Sequence, residues 1–275
     1  MIITVASGKG GTGKTLISTS LALSLGENVQ FLDCDVEEPN SQIFLKPEIK
    51  GSEKVYALVP EVDYDSCDFC GHCVEVCEFN ALVVAKEKVL VFPQLCHSCS
   101  ACSALCPKQA IKEVPREIGQ ISCGTHKNID FISGLLNVGE AKPVPLIAKV
   151  KEKIDKNKTV VIDASPGTSC PMIEALKGSD YCILVTEATP FGLADLKLAA
   201  AAVKKMGIES GVVINKDHKE FSGVAEFCQE AELPVLLKIP EDIKIAQGYS
   251  VGHPLVEVIP KYRDEFNAMF NRINK

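Results

Sequence analysis

A glycine-rich segment near the start of the chain is the feature that most restricts the fold. Residues Gly8–Thr15 read G-x-x-x-x-G-K-T, between an apolar strand pattern at 3–7 and a helical pattern that ends at Gly26. In this context, glycines let successive backbone N–H groups and a helix N-terminus surround phosphate oxygens. We expect Lys14 to contact the terminal phosphates of a nucleotide and the Thr15 hydroxyl to contact Mg²⁺.

The rest of the chain alternates between strand and helix patterns. Strand patterns at 28–35, 158–167, 180–188, 211–217 and 234–240 are separated by helical patterns, one of them from Glu220 to Glu232. Such alternation is typical of parallel strands with crossover helices on both faces, so we predict a doubly wound, mostly parallel α/β sheet. A C-terminal stripe is expected to pack on this sheet rather than on a membrane; it contains Tyr262, Phe266, Met269, Phe270 and Ile273.

Cysteine spacing marks a different kind of region between residues 67 and 106. Eight of the 13 cysteines lie there, in two runs of C-x2-C-x2-C-x3-C. Soft thiolates at this spacing bind cubane iron–sulfur clusters, and in two-cluster ferredoxins the fourth cysteine of each run ligates the other cluster. Zinc, the alternative metal, usually takes two separated C-x2-C pairs. We therefore predict one [4Fe-4S] cluster on Cys67, Cys70, Cys73 and Cys106, and a second on Cys96, Cys99, Cys102 and Cys77.

These patterns divide the chain into two units. Residues 1–59 and 116–275 are predicted to form the discontinuous nucleotide-binding domain, and 60–115 a small inserted α+β domain. The insert holds eight acidic and four basic residues, a net charge of −4, which favours a partner with a basic surface. His72 and His97 lie at variable positions between the cysteines and are interpreted as surface residues rather than ligands.

Charge and composition exclude several classes of function. The net charge of −7 argues against a protein that binds nucleic acid, because such proteins concentrate Lys and Arg on one face. No export pattern and no apolar run of about 20 residues occurs, so we expect a cytoplasmic protein rather than one associated with a membrane. In the cytosol thiols stay reduced, which favours metal binding over disulfides.

Aspartates follow two of the predicted strands. Asp33 and Asp35 lie two residues apart at a strand end and therefore project to the same side, whereas Cys34 projects to the other. Asp163 ends a later strand, just before Ser-Pro-Gly. Carboxylates beside a triphosphate suit Mg²⁺ coordination, so we predict a magnesium site of Thr15, Asp33 and Asp163.

Together these motifs resemble those of the deviant Walker A P-loop NTPases, the superfamily of MinD, ParA and the nitrogenase iron protein. The resemblance implies that Lys9 reaches across a dimer to the partner's nucleotide, that Asp35 orients the attacking water and that Gly167 moves with hydrolysis. Lys9, Lys14, Asp35 and Asp163 are then the expected catalytic residues. The expected nucleotide-binding loop comprises Gly8, Lys9, Gly10, Gly11, Thr12, Gly13, Lys14 and Thr15.

The same resemblance suggests the base and the oligomeric state. Asn215 begins a segment like the guanine-specific N-K-x-D motif, but His218 stands where that motif has aspartate. We therefore expect ATP, with Asn215 and the backbone near Pro240 contacting adenine. The working species is expected to be a homodimer or a dimer with a paralogue.

A second resemblance, to bacterial-type ferredoxins, covers about 50 residues and departs from the pattern where Glu78 instead of proline follows Cys77. A third concerns Cys170, which lies seven residues beyond Asp163 at the offset of a cluster ligand in the nitrogenase iron protein. With Cys123 it would hold a further [4Fe-4S] cluster shared by the dimer; alternatively, both are ordinary buried residues. Cys34, Cys182 and Cys228 are interpreted as core residues.

The leading functional hypothesis is an ATP-hydrolysing protein in which nucleotide-dependent dimer switching is coupled to electron transfer through [4Fe-4S] clusters, with a redox protein as partner. One alternative is an iron–sulfur cluster carrier or assembly ATPase, whose partner would be an apo iron–sulfur acceptor. A second alternative is a positioning ATPase of the MinD or ParA type, which would need affinity for membrane or DNA.

Overall fold

The computed structural model describes residues 1–218 and 221–274, and a nine-stranded sheet organises this part of the chain. Seven strands are parallel to their neighbours, and the last two continue the sheet in antiparallel orientation. The predicted mostly parallel α/β sheet is confirmed. In spatial order the strands are β11 (Val235–Pro240), β10 (Glu209–Asp217), β9 (Tyr181–Glu187), β1 (Ile2–Ala6), β8 (Thr159–Ala164), β2 (Val29–Cys34), β7 (Ile129–Leu136), β6 (Ile111–His126) and β3 (Glu48–Val62).

Helices cover both faces of this sheet, as the doubly wound pattern predicts. One face carries α1 (Lys14–Leu25), α2 (Ser41–Leu45), α9 (Ile243–Ser250), α10 (Leu255–Val258) and α11 (Tyr262–Ile273). The other carries α5 (Val144–Lys151), α6 (Cys170–Leu176), α7 (Pro190–Lys205) and α8 (Gly223–Glu230). The helix predicted to start at Glu220 is α8, and Glu220 itself lies outside the described residues.

Strand β2 shows why the sheet is buried on both sides. Its side chains alternate between the two faces, so Phe31 packs towards α1 and Leu32 towards α5, and both are fully buried. The α1 face also receives the C-terminal helix α11, whose Tyr262, Phe266 and Met269 are buried in the same apolar cluster. The interpretation of the C-terminal stripe as a packing face is thus confirmed.

A long antiparallel ribbon leads from the sheet to the cysteine-rich segment. Strands β3 and β6 pair from Glu48 opposite Thr125 to Val62 opposite Ile111. Gly119 pairs with Leu136 at the end of β7, so residues 111–118 extend beyond the carboxyl ends of the parallel strands. Both strands run through residues 60 and 115, and the cysteine-rich segment therefore lies at the same edge of the sheet as the glycine loop that follows β1.

The segment between the two ribbon strands is small. It contains α3 (His72–Glu75), α4 (Ala101–Ala104) and a hairpin of β4 (Leu82–Val84) with β5 (Val89–Val91). Its buried apolar cluster consists of Leu82, Val89, Cys102 and Ile111. In the described part of the chain, no helix is both long enough and apolar enough to cross a bilayer.

Candidate functional site

The glycine loop joins β1 to α1, and its conformation depends on glycine at several positions. Gly11 and Gly13 have φ angles of +80° and +89°, in the left-handed region that other residues adopt at a cost. A Cβ atom on Gly13 would lie 2.3 Å from Nδ2 of Asn215, and one on Gly8 would lie 2.4 Å from the carbonyl oxygen of Asp195. The loop is therefore packed against β10 and α7, which leaves its other side open.

That open side faces a cavity of about 400 Å³, a size suited to a small ligand. The loop supplies one wall, and the ends of β2 and β8 supply another through Asp35 and Pro166. The far wall contains Asn215, Pro240, Glu241, Asp242, Ile245 and Tyr249. The cavity thus joins the phosphate loop to the segment around Pro240 in one continuous pocket.

Lys14, at the start of α1, carries the positive charge that lies nearest to the aspartates of the site. Its side chain is buried, with Nζ 2.9 Å from Oδ1 of Asp163 and 3.5 Å from Oδ2 of Asp35. Burial alone would lower the pKa of Lys14, but the charges of Asp163 and Asp35 outweigh it and raise the pKa above its usual value. The side chain therefore remains an ammonium group inside the fold.

The carboxylates around Lys14 are buried, and burial raises the pKa of two of them. Asp33 is fully buried and accepts hydrogen bonds from the backbone N–H groups of Ser41 and Asp35, at 3.1 Å each. Burial, followed by the charge of Asp163, raises the pKa of Asp33 to about 7. Burial likewise raises the pKa of Asp35 to about 6. Within residues 1–218 and 221–274, Oδ2 of Asp163 is buried without a hydrogen-bond partner, which suits a cation ligand.

Lys9 also lines this cavity, and its ammonium group pairs with an acidic side chain at the end of β9. Its Nζ lies 3.1 Å from Oε2 of Glu187, and about a third of the side chain is exposed. Glu187 also pairs with Lys216 at 2.6 Å, and Lys216 Nζ donates to the carbonyl of Gly11 at 3.0 Å. Burial would raise the pKa of Glu187, but hydrogen bonds and charges from Lys216 and Lys9 lower it below its usual value.

Glu187 was not recognised from the sequence. Its only signal was its position at the end of β9, a strand pattern that the sequence shows clearly. Asn215 was expected at adenine, and the structure places it on the wall of the cavity, where its amide donates to the carbonyl of Thr12 at 2.8 Å. Its contribution to the site therefore includes holding the loop. His218 pairs with Glu241 at 3.1 Å, beside the same wall.

The eight clustered cysteines line two separate cavities. One cavity combines three cysteines of the first run with the last of the second, Cys67, Cys70, Cys73 and Cys106. The other combines the last cysteine of the first run with three of the second, Cys77, Cys96, Cys99 and Cys102. We name these the first and the second cysteine group. Each run therefore contributes to both groups.

The two halves of the insert repeat the same backbone conformation. Positive φ angles occur at equivalent positions in each half, at Phe69 and Ser98, at Gly71 and Ser100, and at Asn80 and Gln109. Backbone N–H groups also point at sulfur in an equivalent manner, from Ala81 to Cys77 at 3.3 Å and from Ala110 to Cys106 at 3.4 Å. Such N–H groups stabilise the negative charge of thiolates.

Throughout the residues that the structure describes, no three His, Cys, Asp or Glu side chains converge as ligands of one metal ion. The histidines between the cysteines have other contacts: His72 pairs with Glu75 at 3.4 Å, and the ring of His97 stacks on Phe79 with centroids 3.7 Å apart.

The remaining cysteines are dispersed. Cys34, Cys182 and Cys228 are buried in the apolar cluster on the α5–α8 face, as expected. Cys170 is the exposed first residue of α6. Cys123 lies within β6 opposite Ile132, partly buried among strands of the sheet. The two are on different elements of the chain, and their expected bridging cluster stays a prediction about the dimer.

Comparison with known proteins gives the family. The model for the CobQ/CobB/MinD/ParA nucleotide binding domain matches residues 3–255. Protein MJ0579 of Methanocaldococcus jannaschii is 30% identical over 274 residues, which covers 96% of this chain and 93% of that protein. The cytosolic Fe-S cluster assembly factor NUBP2 homolog of Culex quinquefasciatus is 27% identical and covers 94% of this chain and 90% of its own length.

Structural comparison agrees on the fold. The septum site-determining protein MinD from Pyrococcus horikoshii, solved with Mg-ADP, has a TM-score of 0.62 at 18% identity and covers 100% of this chain and 96% of its own. A further sequence match is to a ferredoxin: Ferredoxin-3 of Nostoc is 28% identical over 75 residues, a match that covers 20% of this chain and 77% of the ferredoxin.

The family model matches residues 3–255, which include the glycine loop, its neighbouring carboxylates and the strands of the sheet. The chain is therefore a member of the CobQ/CobB/MinD/ParA nucleotide-binding domain family.

Proposed function

We propose that this chain hydrolyses ATP and couples nucleotide-dependent dimer switching to electron transfer through two [4Fe-4S] clusters. The observation that carries the proposal is the meeting of two kinds of site at one edge of the sheet. A phosphate loop with buried carboxylates lies at the carboxyl ends of the parallel strands, and two groups of four cysteines lie beyond the same edge.

On the nucleotide side, the roles follow from charge and burial. Lys14 would neutralise the terminal phosphates of a bound nucleotide, and Thr15, Asp33 and Asp163 would hold Mg²⁺. One supporting observation is the buried Asp163 oxygen that has no hydrogen-bond partner in the described chain, because a divalent cation could bind it. Another is the raised pKa of Asp33, because a divalent cation would stabilise this carboxyl group as an anion. Asp35, at the rim of the cavity, orients the attacking water.

A dimer completes this site through Lys9. Its ammonium group is partly exposed and pairs with Glu187, so it is not committed to a phosphate within its own chain. We propose that it leaves Glu187 when a partner chain presents a bound triphosphate, whose higher negative charge competes for the lysine. The partner is a second copy of this chain or a paralogue.

On the iron side, the donor sets fit [4Fe-4S] clusters. Each cysteine group provides four thiols around one cavity, and backbone N–H groups point at Cys77, Cys96 and Cys106. When bound, such clusters supply one-electron oxidation and reduction. The chain's own contribution is to hold the thiolates at fixed separations and to present a net acidic surface to a redox partner with basic side chains.

The experiment that tests the proposal combines iron analysis with nucleotide-dependent assembly. Anaerobically prepared protein should contain about eight irons per chain. It should form dimers in the presence of a non-hydrolysable ATP analogue, and a redox partner should co-purify in one nucleotide state alone. Identical assembly and identical reduction kinetics with and without nucleotide would contradict the proposal.

Two substitutions separate the steps of this cycle. Asp35→Ala should retain ATP binding and lose hydrolysis, because the carboxylate acts on water rather than on the phosphates. Lys9→Ala should retain nucleotide binding within one chain and lose ATP-dependent dimerisation, measured by light scattering. A Lys9→Ala protein that hydrolyses ATP at the wild-type rate as a monomer would contradict the shared site.

A second candidate function has support from one relative. The similarity to the NUBP2 homolog, described as a cytosolic Fe-S cluster assembly factor, favours a protein that carries clusters as cargo. Lability separates the two functions. Clusters that resist a chelator fit electron transfer, whereas quantitative transfer of iron and sulfide to an apo-ferredoxin would favour the carrier.

Iron in excess of about eight per chain would support the additional cluster on Cys123 and Cys170.

A further inference from the structure

The loop at 137–143 connects the nucleotide site to the insert. It follows β7, where the N–H of Leu136 donates to the carbonyl of Val36 at 2.8 Å, one residue beyond Asp35. The next residue, Asn137, donates from its N–H to the carbonyl of Ile118 on the ribbon at 2.9 Å. The first end of this loop is thus hydrogen-bonded both to the segment that carries Asp35 and to the strand that leads to the cysteines.

The second end of the loop reaches the second cysteine group. Lys142 Nζ donates a hydrogen bond to the carbonyl of Cys96, one of the four cysteines of that group. Glu140, whose side chain is 2% exposed, pairs with Arg116 on the ribbon and fixes the loop in between. A positive charge from the nucleotide-binding unit is therefore held against the backbone of an expected cluster ligand.

Helix α5, which follows the loop, connects it to α6 and thereby to the segment that carries Asp163. Helix α5 begins at Val144 and ends at Lys151, whose Nζ donates to the carbonyls of Glu174 at 2.7 Å and Ala175 at 2.8 Å. These carbonyls lie at the carboxyl end of α6, and α6 begins three residues after Gly167. A movement of the Asp163–Gly167 segment would therefore displace α6, and the hydrogen bonds from Lys151 to the end of α6 would move α5 with it.

We propose that the segment 137–151 transmits the nucleotide state to the second cysteine group and not to the first, with Lys142 as the positioning residue. The inference rests on the proposed function, because it concerns a cluster on these cysteines. A cation close to a cluster stabilises the reduced form, which carries one more negative charge, and the effect falls with distance. A small displacement of Lys142 therefore changes the reduction potential of that cluster.

The first cysteine group provides the contrast within the same chain. The charge beside it belongs to Lys108, which pairs with Asp68 at 3.6 Å, and both residues lie inside the insert. Removing Lys108 takes away a cation next to the first group, as removing Lys142 does next to the second. Lys108→Gln is therefore the matched control, since it changes local charge without touching the segment 137–151.

The test is a redox titration of the anaerobic holoprotein with dithionite, followed by EPR, with and without a non-hydrolysable ATP analogue. A Cys99→Ser variant identifies the signal of the second cluster. In wild-type protein the analogue should shift the midpoint of the second cluster alone. Lys142→Gln should lower that midpoint by about 59 mV, a tenfold change in the ratio of reduced to oxidised cluster, and should lose the response to the analogue.

The controls define the outcomes. Lys142→Arg should restore the response because it keeps both the charge and the donor, and Lys108→Gln should lower the first midpoint while leaving the response of the second intact. A full response in Lys142→Gln overturns the inference and leaves the proposed function standing. Wild-type protein that holds eight irons and binds the analogue, yet shifts neither midpoint, contradicts both.

Hydrogen exchange on wild-type holoprotein gives a second measurement that needs no variant. The analogue should change exchange of the backbone amides in residues 137–151 and 94–98, and should leave residues 67–73 unchanged. Equal changes around both cysteine groups, or none within 137–151, would overturn the inference.

Discussion

The phosphate loop lies above large apolar clusters on both faces of the sheet, whereas the cysteine loops of the insert pack on one small apolar cluster. Asn215 holds the carbonyl of Thr12 at 2.8 Å, and Gly8 packs on the backbone of Asp195. Large apolar clusters lie on both faces of the sheet below this loop. The insert has a single small cluster around Leu82 and Val89. The two regions thus differ in what keeps them folded.

Backbone conformation sharpens the difference. In the insert, non-glycine residues such as Phe69, Ser98 and Ser100 have positive φ angles, which cost about 1 kcal/mol each for L-residues. The phosphate loop reserves its positive φ angles for Gly11 and Gly13, where the cost is small. We therefore expect the insert to depend on a further source of stability, which bonds from its thiolates to iron would supply.

The largest expected effect is the loss of order in the insert when iron is removed. Chelation under reducing conditions should raise hydrogen exchange of amides in residues 63–110 by at least about 100-fold, because opening of this segment loses its main restraint. Amides of β1, β2 and β8 should keep their protection, since their burial does not depend on iron. The measurement is hydrogen exchange with mass spectrometry on iron-loaded and iron-free protein.

A Cys73→Ser variant provides the control for chelator side effects. It removes a thiol of the first group alone, so exchange should rise most near that group. If iron-free protein protects residues 63–110 as well as the sheet, the insert is stable without metal and does not differ from the sheet in what keeps it folded.

The next largest effect concerns Lys14. Lys14→Ala should weaken ATP binding by at least about 100-fold, since the proposed role of its buried ammonium group is to neutralise the terminal phosphates. It should also destabilise the ligand-free fold at neutral pH by about 3 kcal/mol, because Asp163 and Asp35 lose their buried counter-charge. Isothermal calorimetry and urea unfolding measure the two effects.

The exposed pair of Lys261 and Glu265 supplies a control of the same chemistry. Lys261 precedes α11, and its Nζ lies 3.9 Å from Oε1 of Glu265 within that helix; Lys261→Ala should change stability by less than about 0.5 kcal/mol. The iron content of Lys14→Ala should match that of wild-type protein. Equal losses of iron and nucleotide would show that the two regions fold as one unit.

Local patterns made part of this molecule predictable. The glycine loop, the apolar strands β1, β2, β8 and β9, and the C-terminal stripe are defined by residues close together in sequence, and the family comparison and the sheet agree with them. Strand β6 was missed because Pro115 and Gly119 interrupt its pattern, and its partner β3 carries charge along an exposed edge. Such strands are fixed by pairing with neighbours rather than by their own composition.

Contacts between distant segments could not be predicted from the sequence either. Nothing near Lys9 indicates that Glu187 is its partner, and nothing near Cys96 indicates Lys142. Both contacts form only after parallel strands have brought loops from different parts of the chain to one edge of the sheet. The assignment of each cysteine to a cluster stays a prediction, although its spacing argument is local.

The smallest effect concerns the cost of burying Asp33. Its pKa is raised to about 7 by burial and by Asp163, so the folded protein keeps a proton there that the unfolded chain loses near pH 4. Between these values the unfolded state binds fewer protons, and the free energy of unfolding therefore falls as pH rises towards 7. Asp33→Asn removes the ionisation.

Without Mg²⁺ and nucleotide, Asp33→Asn should exceed wild-type stability at pH 8 by about 1–3 kcal/mol, and the gain should shrink at pH 5. Urea unfolding in the presence of EDTA measures both values, and Glu230→Gln on the exposed end of α8 is the control variant. The hydrogen bonds from Ser41 and Asp35 oppose the gain, because an amide accepts them less strongly than a carboxylate. A loss of equal size at both pH values would mean that these bonds, rather than the buried charge of Asp33, determine its effect on stability.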